Sequence, residues 1–437
     1  MDEEKMDVRS DTQGFAAPIL PENGGNLDAD FAPKLPFAAS GREMALAFFM
    51  YLPAYLYLQS AAWCFPVFCA LFCAMAEWFY RGTPRADESW FWLGCLAVTA
   101  LAATFGENRV WEGYTPLFTH AFAVYYILCR SGRLLEGESG HLLPLDALFG
   151  LIVFPFKHLF LRIRTVSFAL THRKTGEDKH PAAWAAMAVG ALLALGLLAL
   201  AVRELSGADA AFDAWTQKLL GLLQLRVDEQ TLWNVLLSLP VGAYLFGLIA
   251  GTGREKIEAV RARGERVNAA LGSLRKVPVV VWTAALGVFA ALYLAFFSLQ
   301  AGYLFGAFVK MIPDGYTIAE YARQGFFSLC RVMAVNFALL WLVTRACVKP
   351  VRQEKTLLLL CAVLLCQSLV FAAIAASKLY LYISSYGFTP RRLQSAWLIA
   401  VLAAGTGCAL YSLATGKKAV RYWMLFSAAT LMLLSLY

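Results

Sequence analysis

The sequence predicts an all-α fold: a polytopic transmembrane helix bundle of about eleven spans (ten to twelve), with interfacial and cytoplasmic amphipathic helices. Three observations predict it. Of the 437 residues, 59% are hydrophobic and only 16% are charged, with a mean hydropathy of +0.58; a soluble domain carries roughly 25% charged residues. Apolar runs of membrane length recur almost from end to end. The net charge of +8 sits in the loops between those runs, as membrane orientation requires, and gives no case for nucleic acid as a partner.

Residues 1–42 are polar and rich in Asp, Glu, Gly and Pro, and they lack the apolar core of a signal peptide. They read as a disordered tail, leaving 43–437 as the transmembrane domain. Residues 44–80 contain one charge, Glu77. That stretch reads as a tight pair of spans, 44–59 and 61–80, broken near Gln59-Ser60, with one long tilted span as the alternative. Further spans are expected at 89–105, 114–129, 182–202, 231–250, 278–299, 325–344, 356–376, 394–413 and 421–437.

Loop charge tests that count independently. Loops 130–181, 251–277, 345–355 and 414–421 carry eight, seven, four and three Lys/Arg, and the loops between them are poorer. The alternation predicts a cytoplasmic N-terminus and an extracytoplasmic C-terminus in the cell inner membrane. Residues 147–168 mix Phe and Leu with Lys157, Arg162 and Arg164 around Pro155; they read as an interfacial helix, and a true span there would flip everything upstream. Residues 253–276 read as a basic helix against anionic head groups, with a possible cytoplasmic partner. Gly251-Thr-Gly-Arg-Glu-Lys lacks the spacing of a phosphate loop and reads as helix punctuation. A short amphipathic helix is expected within 203–230 on the outer surface.

The ten cysteines lie in apolar runs without a C-x-x-C, and the five histidines form no H-E-x-x-H. Neither a metal nor any other cofactor has support in the sequence.

Three outer patches carry the candidate site. The first is A-E-Y-A-R-Q-G-F-F, with Glu320, Tyr321 and Arg323 at the mouth of the eighth span and Arg331 further in. Arg331 shares a helical face with Glu320 and is expected to point into the bundle, with Phe326, Leu329 and Val332 turned elsewhere. Its expected partners are a carboxylate of the loop before the fourth span, His120 or Tyr382. The second patch, Lys378 to Leu393, holds Tyr380, Tyr382, Tyr386, Arg391 and Arg392. Within it Gly387 is expected to end one helix, with Thr389 capping the next and Pro390 at its first position. Paired arginines on an outer loop run against the positive-inside bias. The third patch holds Glu107, Arg109, Glu112 and Tyr114, whose carboxylates could neutralise those arginines.

The first two motifs together resemble a family of bacterial multi-pass membrane proteins catalogued as a domain of unknown function. The resemblance runs from about residue 90 to 420. It implies Glu320, Tyr321, Arg323, Gly325, Phe326, Tyr386, Gly387, Thr389 and Arg392 as motif positions, and it implies no reaction. From the residues themselves, the leading expectation is transport or handling of an anionic or lipid-linked substrate in an outward-facing basic, tyrosine-lined cavity, with membrane lipids as neighbours. The alternatives are a sensor or assembly module and a membrane-embedded enzyme.

Overall fold

Local chemistry opens the first helix. Ser40 accepts from the Glu43 N–H while the Glu43 carboxylate accepts from the Ser40 N–H, a capping box that starts α1 at Gly41–Phe49. The computed structural model describes residues 37–59, 63–105, 110–111, 113–171, 201–202, 204–207, 209, 212, 229–299, 315 and 317–437, giving the backbone alone for 171, 229, 232, 318 and 321–324. The expected tail, but for 37–42, the expected span at 182–202 and nearly all of the expected outer helix within 203–230 lie outside them. Residues from Ala39 onward form one unit.

After Met50 the chain continues as α2, Tyr51–Tyr57, and returns as α3, Cys64–Phe79. The Arg42 guanidinium donates to the carbonyls of Phe79 and Arg81, so the start of α1 lies beside the end of α3. Residues 44–80 are therefore an antiparallel pair and not one tilted span. The next helices are α4, Glu88–Phe105, and α5, Thr115–Ser131. Gly132 (φ 69°) ends α5 in the left-handed region, where a Cβ would be strained.

The run Leu143–Leu170 is long and apolar enough to cross a membrane. It divides into α6 (Leu143–Leu148), a π-turn (Phe149–Val153), α7 (Phe154–Lys157) and α8 (Leu161–Thr171), with a break at 158–160. Asp146 near its start accepts from the Leu135 N–H at 2.9 Å, and Lys157 pairs with Glu255 at 2.5 Å. Arg133 ties those two loops together by donating to the carbonyls of Glu255 and Gly253. Both ends of α6–α7 thus lie at the same end of the bundle, whereas the run as a whole, expected as an interfacial helix over 147–168, is long and apolar enough to span.

Pro155 explains the π-turn. It has no N–H for the Leu151 carbonyl four residues back. The Tyr244 hydroxyl supplies that donor at 3.0 Å. Tyr244 lies on α9, Glu229–Phe246, which runs into a second π-turn, Gly247–Gly251. There the Tyr80 hydroxyl donates to the Ile249 carbonyl at 2.7 Å. The second π-turn packs on α7 and His158 because Gly247 and Gly251 lack side chains: a Cβ on Gly247 would stand 2.7 Å from the Pro155 oxygen, and one on Gly251 2.6 Å from the His158 Cβ. Gly251, read as helix punctuation, is thus also a contact surface.

Past α10, Thr252–Arg254, the basic helix α11 (Ile257–Gly272) buries Val260 and Gly264. A Cβ on Gly264 would fall 2.3 Å from the Leu135 carbonyl oxygen. Arg263 stacks over Phe149 at 4.8 Å, so this arginine packs on protein.

The C-terminal half comprises α12 (Val279–Leu299), α13 (Ile318–Ala346), α14 (Lys355–Tyr386), α15 (Pro390–Thr415) and α16 (Val420–Leu434). Its core places Tyr293, Phe326, Met333, Leu364 and Phe371 in one apolar cluster. A polar chain crosses that core: Tyr293 donates to Asn336 at 2.7 Å, and Asn336 donates to Ser368 at 2.8 Å. The amide of Asn336 is thereby satisfied across helices, as a buried amide must be.

Arg421 joins the halves at one end, pairing with Glu88 at 2.7 Å and Glu138 at 3.1 Å. At the other end the rings of Trp111 and Trp397 meet edge to face at 5.4 Å. The Lys/Arg-rich loops gather at the first end, hereafter the ionic end, and the motif loops lie at the second.

Candidate functional site

The motif end is built by helix termini. Thr317 caps α13, and Glu320 closes a capping box on the Thr317 N–H and hydroxyl. The box accounts for Glu320, expected as a binding residue, in terms of helix initiation. Tyr321 and Arg323 lie in the first turns of α13, with side chains outside the described set. Glu107, Arg109 and Glu112 also lie outside the described residues.

Gly325 joins the two motifs. A Cβ there would stand 2.2 Å from the Lys378 Nζ, so the missing side chain admits the lysine stem from α14. At the end of α14 Gly387 takes φ 78° and α15 begins with Pro390, as expected; Thr389 occupies the cap position in extended geometry without a side-chain cap bond. The Arg392 guanidinium donates to the Gly387 carbonyl and lies 4.2 Å from the centroid of Tyr382 and 5.9 Å from that of Tyr386. The two tyrosine rings meet at 5.2 Å. Tyr386 is exposed, as is Arg391. Gln394, one turn along, donates to the Val110 carbonyl, which brings the loop before α5 to the same corner.

Arg331 corrects an expectation. It is exposed, its guanidinium donates to Ser328 Oγ at 3.3 Å, and the buried face of α13 carries Phe326, Leu329, Cys330 and Met333 instead. The helix turns its apolar face to the bundle because that face has volume to bury against α12 and α14. A long arginine stem on the outer face can reach back toward the polar boundary. His120 is also elsewhere: its Nε2 lies 2.9 Å from the Tyr244 hydroxyl, in the N-terminal half.

At the ionic end many of the described carboxylates are paired. Glu77 accepts from the Tyr126 hydroxyl at 2.6 Å, from Arg130 Nε at 2.9 Å and from Arg85. Arg130, only 5% exposed, also donates to the Tyr80 carbonyl and to Thr83 Oγ1. Glu43 pairs with Arg254. Glu136 lies 3.1 Å from His141, whose other ring nitrogen meets Asn268 at 2.9 Å. Burial pushes the Arg133 guanidinium below its ordinary range, while Tyr80, Glu255 and Glu258 act the other way. No His/Cys/Asp/Glu group among the described residues has the arrangement of a metal site.

The fold and these two ends define an all-α polytopic bundle with an ion-paired, basic ionic end and a basic, aromatic motif end. The chain belongs to the family described as Domain of unknown function (DUF4153), whose model matches residues 66–437, further at both ends than the expected resemblance. No curated protein and no solved structure matches it.

Proposed function

We propose that the protein sits in the cell inner membrane with its N-terminus cytoplasmic and its C-terminus outside, and that its motif end handles or transports an anionic or lipid-linked substrate. One observation carries this reading. Arg391 and Arg392 reach no carboxylate among the described residues, whereas at the ionic end Arg85, Arg130, Arg254 and Arg421 are all paired. An arginine stacked on tyrosine keeps its planar fork free for a phosphate or carboxylate. Lys378, placed beside it through Gly325, adds a second positive charge to the same corner.

Binding of dodecyl phosphate to the purified protein, followed by native mass spectrometry, tests the substrate class. Arg391→Gln with Arg392→Gln is expected to weaken it about tenfold or more, since a charge-assisted hydrogen bond contributes roughly 1.5–3 kcal/mol. Arg331→Leu is expected to leave binding and melting temperature unchanged. Equal binding by the double variant and the wild type would overturn the proposal.

Orientation has its own test. Single cysteines at Gly137 and Arg263 are expected to react only from the cytoplasmic side and one at Gly387 only from outside. Finding Arg263 and Gly387 on the same side would refute the alternation.

A further inference from the structure

The cations of the ionic end are unevenly matched. On α11 three arginines share the helix with two glutamates, and Arg263 packs on Phe149. Loops 273–278, 345–355 and 414–418, in contrast, carry eight Lys/Arg and one carboxylate, Glu354.

Hydrogen bonds to main chain draw those three loops into one corner. The Lys276 and Val277 N–H groups donate to the Ala346 carbonyl at 3.1 and 3.0 Å, and the Val348 N–H donates to the Val277 carbonyl at 3.1 Å. Arg352 donates to the Ala414 carbonyl at 3.1 Å and lies against Gly416, where a Cβ would clash with its guanidinium. Arg275 and Lys276 thus adjoin Lys349, and Arg352 adjoins Lys417, with Lys355 at the start of α14 between them in sequence. All six are exposed. Glu354 takes Lys349 at 2.5 Å, and the other five reach no carboxylate among the described residues. Arg275 and Arg345 lie close enough to repel each other. Gathering like charges costs energy, which an external anion offsets.

The flank next to that corner is apolar and uncovered. α12 starts at Val279 with Val280 and Val281 exposed, and Trp341, Leu342 and Val348 are exposed around the end of α13. α12 is long and apolar enough to cross a membrane, and little of it is buried against the protein. Cations bordering an exposed apolar flank with a tryptophan mark the level of phospholipid head groups. An acidic protein segment would match the charge and leave the flank uncovered. A phospholipid covers both.

We infer that this corner binds an anionic phospholipid of the phosphatidylglycerol type, with its head group at Arg275 and Lys276 and its chains along α12 and α13. The inference rests on the ionic end alone and stands whether or not the motif end handles an anion.

The test uses the full-length protein in phosphatidylcholine nanodiscs doped with photoreactive phosphatidylglycerol or, separately, photoreactive phosphatidylcholine. Phosphatidylglycerol is expected to label peptides carrying Val280 or Trp341 about tenfold more, because each Lys/Arg near an anionic head group strengthens binding severalfold. Arg275→Gln with Lys276→Gln is expected to bring that labelling down to the phosphatidylcholine level. Arg261→Gln with Arg266→Gln removes the same charge from α11, at the same end, and is expected to keep the preference. Lys355→Gln with Lys417→Gln takes charge from the other side of the corner and gives a second route should the first pair fold poorly; labelling is expected to fall there too. Equal labelling by the two lipids, an equal loss in the α11 variant, or undiminished labelling in both corner variants would overturn the inference. Equal labelling by the two lipids, together with polyglutamate binding that the corner variants lose, would assign the corner to an acidic protein segment instead. Arg391→Gln with Arg392→Gln is expected to leave the labelling unchanged, so failure at one end is distinguishable from failure at the other; loss of labelling in that variant would overturn an independent corner.

Discussion

Glu77→Gln is expected to lower unfolding stability by about 3 kcal/mol, more than any other single charge removal in the molecule. The change strands Arg130, whose side chain is 6% exposed, among neutral acceptors, and removes the one anion shared with Arg85. Breaking a buried ion pair from one side costs roughly 3–5 kcal/mol. The lower end applies because the Glu77 side chain is itself 35% exposed and its charge is partly screened. Thermal unfolding in detergent, compared with the double variant Glu77→Gln, Arg130→Met, checks the mechanism. The double variant should recover part of the loss, because it no longer buries an unpaired cation. If the double variant is less stable than Glu77→Gln by a full additive increment, the two groups are not coupled as described.

Gly247→Leu is expected to be the most disruptive apolar substitution, costing about 3 kcal/mol or more, at or beyond the upper end of the usual overpacking penalty. Backbone atoms stand on the far side: the Pro155 oxygen lies 2.7 Å from where a Cβ would be, and the Pro155 Cα 3.2 Å. No rotamer change relieves a clash with main chain. The second π-turn must move away from α7, which pulls the Leu151 carbonyl from Tyr244. Gly287→Leu, where nothing lies within 4 Å of the added Cβ, is the control and should melt as the wild type does. Equal melting temperatures for the two variants would show that the second π-turn and α7 are not held by this contact.

Several helix positions were legible because burial in lipid writes itself as length and apolarity, a signal local to each run. The Gly387–Pro390 junction was read from the conformational limits of two residue types. What stayed hidden depends on partners distant in sequence. Glu77 stood alone in a long uncharged run, and nothing in its spacing pointed to Tyr126 and Arg130 on α5. The pairing of His120 with Tyr244 spans 124 residues and rests on the gap left by Pro155. Glu320 is the opposite case. Thr317-Ile318-Ala319-Glu320 is a capping-box pattern in plain view, and reading the glutamate together with Arg331 passed over its nearer task. The direction taken by Arg331 turned on which face of α13 had a neighbour to pack against, a property of α12 and α14 and not of its own helix.

The helices of the bundle differ widely in length. In the N-terminal half α3, α4 and α5 have 16, 18 and 17 residues, or about 24–27 Å at 1.5 Å per residue. In the C-terminal half α13, α14 and α15 have 29, 32 and 26 residues, about 39–48 Å. A hydrocarbon layer of about 30 Å is too thick for the first group and too thin for the second. The surrounding lipid must thin beside the short helices and either thicken beside the long ones or let those tilt and protrude. Both kinds occur in each half, as the continuous run 229–254 and the 15 residues of α16 show, so thin and thick membranes would load neighbouring helices in opposite senses.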